Sequence, residues 1–219
     1  FHEFLAGEAR TADALYVLGD LFEVWFGDDD PGAEARATVA ALRALTDSGV
    51  PCSLMHGNRD FMIGHRFCRE AGVTLIPDGT VVERYGERVL LMHGDLLCTD
   101  DRDYQRMRRV LRNRPLQWLF RHLPLERRRA FAQRLREGSR ERVGMKAPEI
   151  MAVKGAAVER TFRDRGVRTI IHGHTHRPAV HELRIDGIPA RRIVLGDWHA
   201  RGSVLEWSPA GFELRSLPR

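Results

Sequence analysis

Thr169-Ile170-Ile171-His172-Gly173-His174-Thr175-His176-Arg177-Pro178 decides the fold. A short apolar run there ends in two imidazoles that alternate across a glycine-bearing loop. Thr169 to Ile171 reads as a buried strand. Histidines at 174 and 176 have little structural use in such a loop, so they point to ligand chemistry. The same design recurs three more times along the chain. Ala14 to Leu18 delivers Gly19-Asp20, Val50 to Met55 delivers Gly57-Asn58-Arg59-Asp60, and Val89 to Met92 delivers His93-Gly94-Asp95. A lone Gly-Asp at a strand end is ordinarily a turn, and the order of all four carries the weight. Open α/β sheets bind ligands beyond the carboxyl ends of their strands. Convergence of the four ends would join a carboxylate (Asp20), an amide oxygen (Asn58) and three imidazoles (His93, His174, His176). Oxygen and nitrogen donors without thiolate suit Mn²⁺, Fe or Zn²⁺. The two oxygens of Asp20 can bridge two cations at the ~3.5–4 Å separation of two-metal sites.

Around these segments, strands alternate with helices. Helical spacing predicts a helix from Gly32 to Ser48 (Val39, Leu42, Leu45), stopped by Gly49. Further helices are predicted from about Met62 to Ala71 and from Pro148 to Arg165, and strands at Val73 to Ile76 and at Val81-Val82 before the Tyr85-Gly86-Glu87 turn. The segment from Val180 to Leu217, broken at Asp186-Gly187 and Pro209-Ala210-Gly211, reads as antiparallel β-structure. His56, His65, His122 and His181 read as packing or surface residues. His172 reads as a core residue or one supporting a ligand, and His199 as a candidate for orienting one.

The chain of 219 residues, 43% hydrophobic and 30% charged, is sized for one globular domain with an inserted lobe. It is too apolar for disorder. No run reaches the ~20 apolar residues of a membrane span, and no signal-peptide pattern is expected. Cys52, Cys68 and Cys98 form neither a CxxC pair nor a disulfide framework. They exclude cysteine-ligated metal classes and favour the reducing cytoplasm. The net charge of +5 is unevenly spread. Arg102 to Lys146 holds 15 basic and 4 acidic residues, a net of +11, so the rest carries −6. A lobe this basic implies an anionic partner: a phosphorylated substrate, an anionic membrane surface or nucleic acid. Arg102 to Glu137 reads as helical, interrupted by Pro115 and Pro124, with Leu116, Trp118, Leu119, Phe120, Leu123 and Leu125 threaded among arginines. Such a pattern suits either a helical pair that buries its own apolar face or a lid for an amphipathic anion.

The series Gly-Asp, Gly-Asn-Arg-Asp, His-Gly-Asp, Gly-His-Thr-His resembles the calcineurin-like metallophosphoesterase superfamily. Over essentially its full length the chain is similar to the branch that hydrolyses UDP-2,3-diacylglucosamine in bacterial lipid A biosynthesis. Asp20-Leu21-Phe22-Glu23 with Trp25, Thr99-Asp100-Asp101 with Tyr104, Gly196-Asp197-Trp198, and Arg59 where most of the superfamily has histidine all favour that branch.

The resemblance implies an α/β four-layer sandwich over 1–219 with a helical cap at about 101–146. It further implies two Mn²⁺ per active site, cleavage to 2,3-diacylglucosamine 1-phosphate and UMP, and peripheral attachment to the cytoplasmic face of the inner membrane. By motif, Asp20 resembles the bridging ligand. Asn58, His93 and His174 resemble the shell of one metal, and His176 belongs to the other. Asn58, Arg59 and His174 also resemble substrate contacts, joined from the insertion by Asp101, Ser139 and Lys146. The substrate implied is a nucleotide-linked glycolipid, with no nucleic acid and no obligate protein partner expected. The superfamily's opening Asp-x-His strand has no counterpart after Phe1, so a protein truly starting there is expected to hold one metal poorly. A metal-dependent nuclease, to which the basic lobe would be an electrostatic footprint, and a non-catalytic binding module on the same fold remain as alternatives.

Overall fold

In the computed structural model the described residues are 1–29, 32–131, 133–134, 152–198 and 202–217. They divide into two compact units, one formed by His2–Leu75 and Thr99–Ala152, the other by Phe1, Ile76–Cys98 and Val153–Arg219.

The first unit is built on a three-stranded sheet. Its strands are β1 (Leu15–Val17), β2 (Cys52–Met55) and β3 (Thr74–Ile76), in the order β1-β2-β3. β1 and β2 run parallel, with Leu15 opposite Cys52. β1 was expected to be buried, but Leu15–Val17 are half-buried. Helix α1 (His2–Ala6) precedes it and buries Leu5. Helix α2 (Ala33–Asp47) buries Ala35, Thr38, Leu42 and Leu45, one stripe at helical spacing. Helix α3 (His65–Ala71) begins three residues later than predicted. Met62 and Ile63 are buried core residues in a turn closed by the Ile63 N–H on the Asp60 carbonyl, so their apolar signal is not helical. Gly72 ends α3 in the left-handed region, where a Cβ would overlap the Thr46 hydroxyl of α2.

The basic segment of this unit is helical, as expected. Helix α4 (Arg102–Leu111) is capped by Asp101, and α5 (Arg114–Arg121) by Asn113. Residues 125–131 form α6. Pro115 sits in the first turn of α5 and Pro124 just precedes α6, so both prolines start helices instead of breaking one. Neither α4 nor α5 has a buried residue among those described. Trp118 is 63% exposed, and Leu116 and Leu119 are exposed beside it.

The second unit carries a five-stranded sheet of β4 (Thr80–Arg84), β5 (Glu87–Met92), β6 (Thr169–His172), β7 (Ala179–Ile185) and β8 (Ile188–Val194), ordered β4-β5-β6-β8-β7. β5, β6 and β8 are parallel, and β4 and β7 close the edges in antiparallel fashion. The antiparallel reading after Val180 holds for β7 with β8 and for β9 with β10, but it did not include a parallel pairing of β8. β8 joins the central sheet in parallel with β6, which buries Ala190, Ile193 and Val194. Asp186 and Gly187 (φ 55° and 78°) make the two-residue turn between β7 and β8. β9 (Gly202–Ser208) and β10 (Gly211–Leu217) form a separate antiparallel hairpin. Helix α7 (Gly155–Arg165) packs Val158 and Phe162 against Leu90, Met92, Ile170 and Ile185. It starts at Gly155 and not at Pro148: residues 148–151 lie outside the described residues, and Lys154 is the N-cap.

Candidate active site

The predicted site residues fall into two groups, one in each unit. In the first unit β1 ends in Gly19 and Asp20, with φ of 90° and 54°. Left-handed backbone is costly for an aspartate and persists where surroundings over-determine it. Here the Asp20 Oδ1 accepts the Arg59 N–H at 3.1 Å. A Cβ at Gly57 would overlap Asp20 Oδ1 and its amide nitrogen, so only glycine allows the loop after β2 to lie this close. Asp60, fully buried, staples the two loops by accepting the Gly57 N–H on Oδ1 and the Leu21 N–H on Oδ2, both at 2.7 Å. Asn58 and Arg59 are carried on the loop so fixed. The Arg59 guanidinium lies between two carboxylates, with Nη1 2.5 Å from Glu23 Oε1 and Nε 3.7 Å from Asp20 Oδ2.

Two further anchors hold the 19–29 loop. Asp28 accepts from Trp25 Nε1 and from the amides of Gly64 and Phe67, while Phe22, Trp25 and Phe67 pack ring to ring. Arg128, buried, donates through both terminal nitrogens to Asp29 and also to the Phe26 carbonyl. Arg128 thereby holds the Asp29 carboxyl below the usual carboxylate range. Asp101 is buried and accepts the Tyr104 N–H, capping α4. Ser139 and Lys146 lie outside the described residues.

The second unit supplies the imidazoles. His93 follows β5 directly and is buried, with its backbone N–H on Asp78 Oδ1 at 3.0 Å. His174 and His176 follow β6 with φ of 67° and 54°, both left-handed. The His93 and His174 rings meet edge to face with centroids 5.0 Å apart. His176 Nδ1 donates to Asp197 Oδ2 at 3.2 Å, a carboxylate contact common behind metal-ligating histidines. His172 is not available as a ligand. Its Nδ1–H donates to the Gly173 carbonyl at 2.9 Å, and Nε2 accepts from Arg192 at 2.9 Å. Burial pushes its pKa down to about 3, so it is neutral at physiological pH. A Cβ at Gly94 would stand 2.6 Å from His172 Nδ1, so the turn after His93 requires glycine.

His56, His65, His122 and His181 are packing or surface residues, as read from the sequence. His56 donates to the Ile63 carbonyl, and burial lowers its pKa. His122 contacts the Trp118 carbonyl, His65 and His181 are exposed, and His199 lies outside the described residues. Cys52, Cys68 and Cys98 are buried and form no disulfide. The donors are thus carboxylate, amide and imidazole, with Asp20, His174 and His176 on left-handed backbone, a set that fits a divalent metal of the oxygen- and nitrogen-binding class. Sequence reasoning missed the buried staple Asp60, the anchor Arg128 and the role of Asp197 behind His176. Asp60 and Asp197 do stand inside recognised motifs.

Residues 1–178 match the calcineurin-like phosphoesterase family. The chain is 55% identical over 218 residues to the UDP-2,3-diacylglucosamine hydrolase of Pseudomonas aeruginosa, covering 100% of this chain and 91% of that one. It is 53% identical over 218 residues to the proteins of the same name from Salmonella arizonae and Escherichia coli, again covering 100% of this chain and 91% of each relative.

Proposed function

Because the chain belongs to the calcineurin-like phosphoesterase family, we propose that it hydrolyses the diphosphate of UDP-2,3-diacylglucosamine to UMP and 2,3-diacylglucosamine 1-phosphate, a step of lipid A biosynthesis. One observation carries this reading: 55% identity, spanning the whole chain, to a protein of that name. Asp20, Asn58, His93, His174 and His176 would hold the divalent metal, for which we propose two Mn²⁺, with the two oxygens of Asp20 able to serve both. Bound divalent metal supplies Lewis acidity to the phosphoryl oxygens and lowers the pKa of water. Water bonds to the α-phosphorus, and the bond from that phosphorus to the bridging oxygen breaks. The bridging oxygen leaves with the sugar phosphate.

The protein's own groups set this up. Asp60 and Asp20 fix the loop that presents Asn58 and Arg59. The Arg59 guanidinium, oriented by Glu23, faces the charge that develops on the phosphoryl oxygens. His174 and Asn58 also contact the diphosphate, while Asp101, Ser139 and Lys146 meet the substrate from the cap at about 101–146. Hydrolysis in ¹⁸O-enriched water is expected to place the label in UMP. Label in the sugar phosphate instead would mean attack at the β-phosphorus, and the assignment of groups around the α-phosphorus would fail.

A diacyl substrate resides in a bilayer, and the protein reaches it as a peripheral protein on the cytoplasmic face of the inner membrane. Among the described residues no helix is long and apolar enough to cross a membrane. The support for surface attachment is α5, whose exposed Leu116, Trp118 and Leu119 stand in a strongly basic segment. Replacing Trp118 and Leu119 with serine should weaken sedimentation with anionic phospholipid vesicles by about 30-fold or more, each side chain contributing on the order of 1 kcal/mol or more of apolar transfer. Wild-type vesicle binding in that variant would remove α5 from the membrane contact.

A further inference from the structure

Helix α4 starts at Asp101 and ends where Arg112 leaves it, and Arg112 reaches the loop after β2. Its Nη2 donates to two successive carbonyls, His56 at 3.2 Å and Gly57 at 2.9 Å. The second belongs to the peptide that joins Gly57 to Asn58, so the guanidinium fixes the peptide plane from which the Asn58 side chain departs. On its other sides the same loop is held by Asp60 at the Gly57 N–H and by Asp20 at the Arg59 N–H. Arg112 is the member of this clamp that comes from the basic helical segment, 55 residues away in sequence from Gly57.

We infer that Arg112 is a positioning residue for metal binding and turnover: by holding the His56 and Gly57 carbonyls it sets Asn58 and Arg59 at their working positions. The inference rests on the proposed ligand role of Asn58. A charged donor on two backbone oxygens restricts a loop more tightly than neutral contacts do, and metal ligands depend on such outer partners for their orientation. Lysine in its place has the charge and several N–H donors on one nitrogen, but a shorter stem and no planar head to fix their direction.

The test uses metal-stripped full protein titrated with Mn²⁺ alone, reading free ion by electron paramagnetic resonance, together with kcat and KM for the lipid substrate. Arg112→Gln should weaken Mn²⁺ binding and lower kcat by about 10-fold or more, the usual loss for an outer-shell partner, with KM nearly unchanged. Arg112→Lys should recover part of both. Arg106→Ala, which removes an exposed arginine of the same helix, serves as the charge control and should bind Mn²⁺ as the wild type does. Folded Arg112→Gln and Arg112→Lys proteins with wild-type Mn²⁺ affinity and kcat, beside an Asn58→Ala protein that loses Mn²⁺, would overturn the inference. Unchanged affinity in Asn58→Ala as well would overturn the ligand role of Asn58 and this inference with it.

Discussion

Asp20→Ala is expected to lower kcat for UMP release by roughly 10³- to 10⁴-fold, the largest effect of any single substitution here. A ligand shared by two ions positions both, and each ion contributes several kcal/mol of transition-state stabilisation at ~1.4 kcal/mol per tenfold in rate. The carboxylate also accepts the Arg59 N–H and lies 3.7 Å from the Arg59 Nε, so its loss also disturbs Arg59, the cation we propose to face the phosphoryl oxygens. Asp20→Asn separates the two contributions. An amide oxygen can keep the backbone hydrogen bond and the left-handed turn at φ 54°, yet it carries no charge to hold two cations. The Asn variant should therefore melt close to the wild type while losing most of the activity. A folded Asp20→Ala protein within about tenfold of the wild-type rate would exclude a bridging role, because a single outer contact suffices for a loss of that size.

The legible part of this protein was the part written as local pattern. β5 and β6 are short apolar runs inside a mixed sheet, paired parallel with each other, and His93 and the His174–His176 loop stand just beyond their ends, where the sequence placed them. α2 carried its stripe of Leu42 and Leu45 at helical spacing and was foreseen to within a residue at each end. What failed to show depended on partners distant in sequence. Met62 and Ile63 carry the apolar signature of a helix but fill the core from a turn. β8 resembles its hairpin partner β7 in pattern, yet its other edge joins β6 in parallel. The arginines were the hardest case. In a segment with 15 basic residues nothing local distinguishes Arg112 and Arg128 from their solvated neighbours. Arg128 pairs with Asp29 across 99 residues, and Arg112 reaches Gly57 across 55. Arginine's long apolar stem and fixed fork let it serve either as surface charge or as a buried clamp, and only tertiary contacts decide between the two.

Removal of metal gives the second large effect and the most direct test of the central claim, that two divalent ions held by Asp20, Asn58, His93, His174 and His176 drive diphosphate hydrolysis. The full protein, dialysed against EDTA and verified metal-free by mass spectrometry, is assayed for UMP release from UDP-2,3-diacylglucosamine before and after Mn²⁺ is returned. Hydrolysis without the ions lacks both the Lewis acid and the activated water, so the rate should fall at least ~10³-fold, as far as with Asp20→Ala, and recover with Mn²⁺. Near-ultraviolet circular dichroism should remain native throughout, since the loops are held by Asp60, Asp28 and Arg128 through hydrogen bonds within the protein. Undiminished release of UMP by the verified metal-free protein would contradict the claim outright.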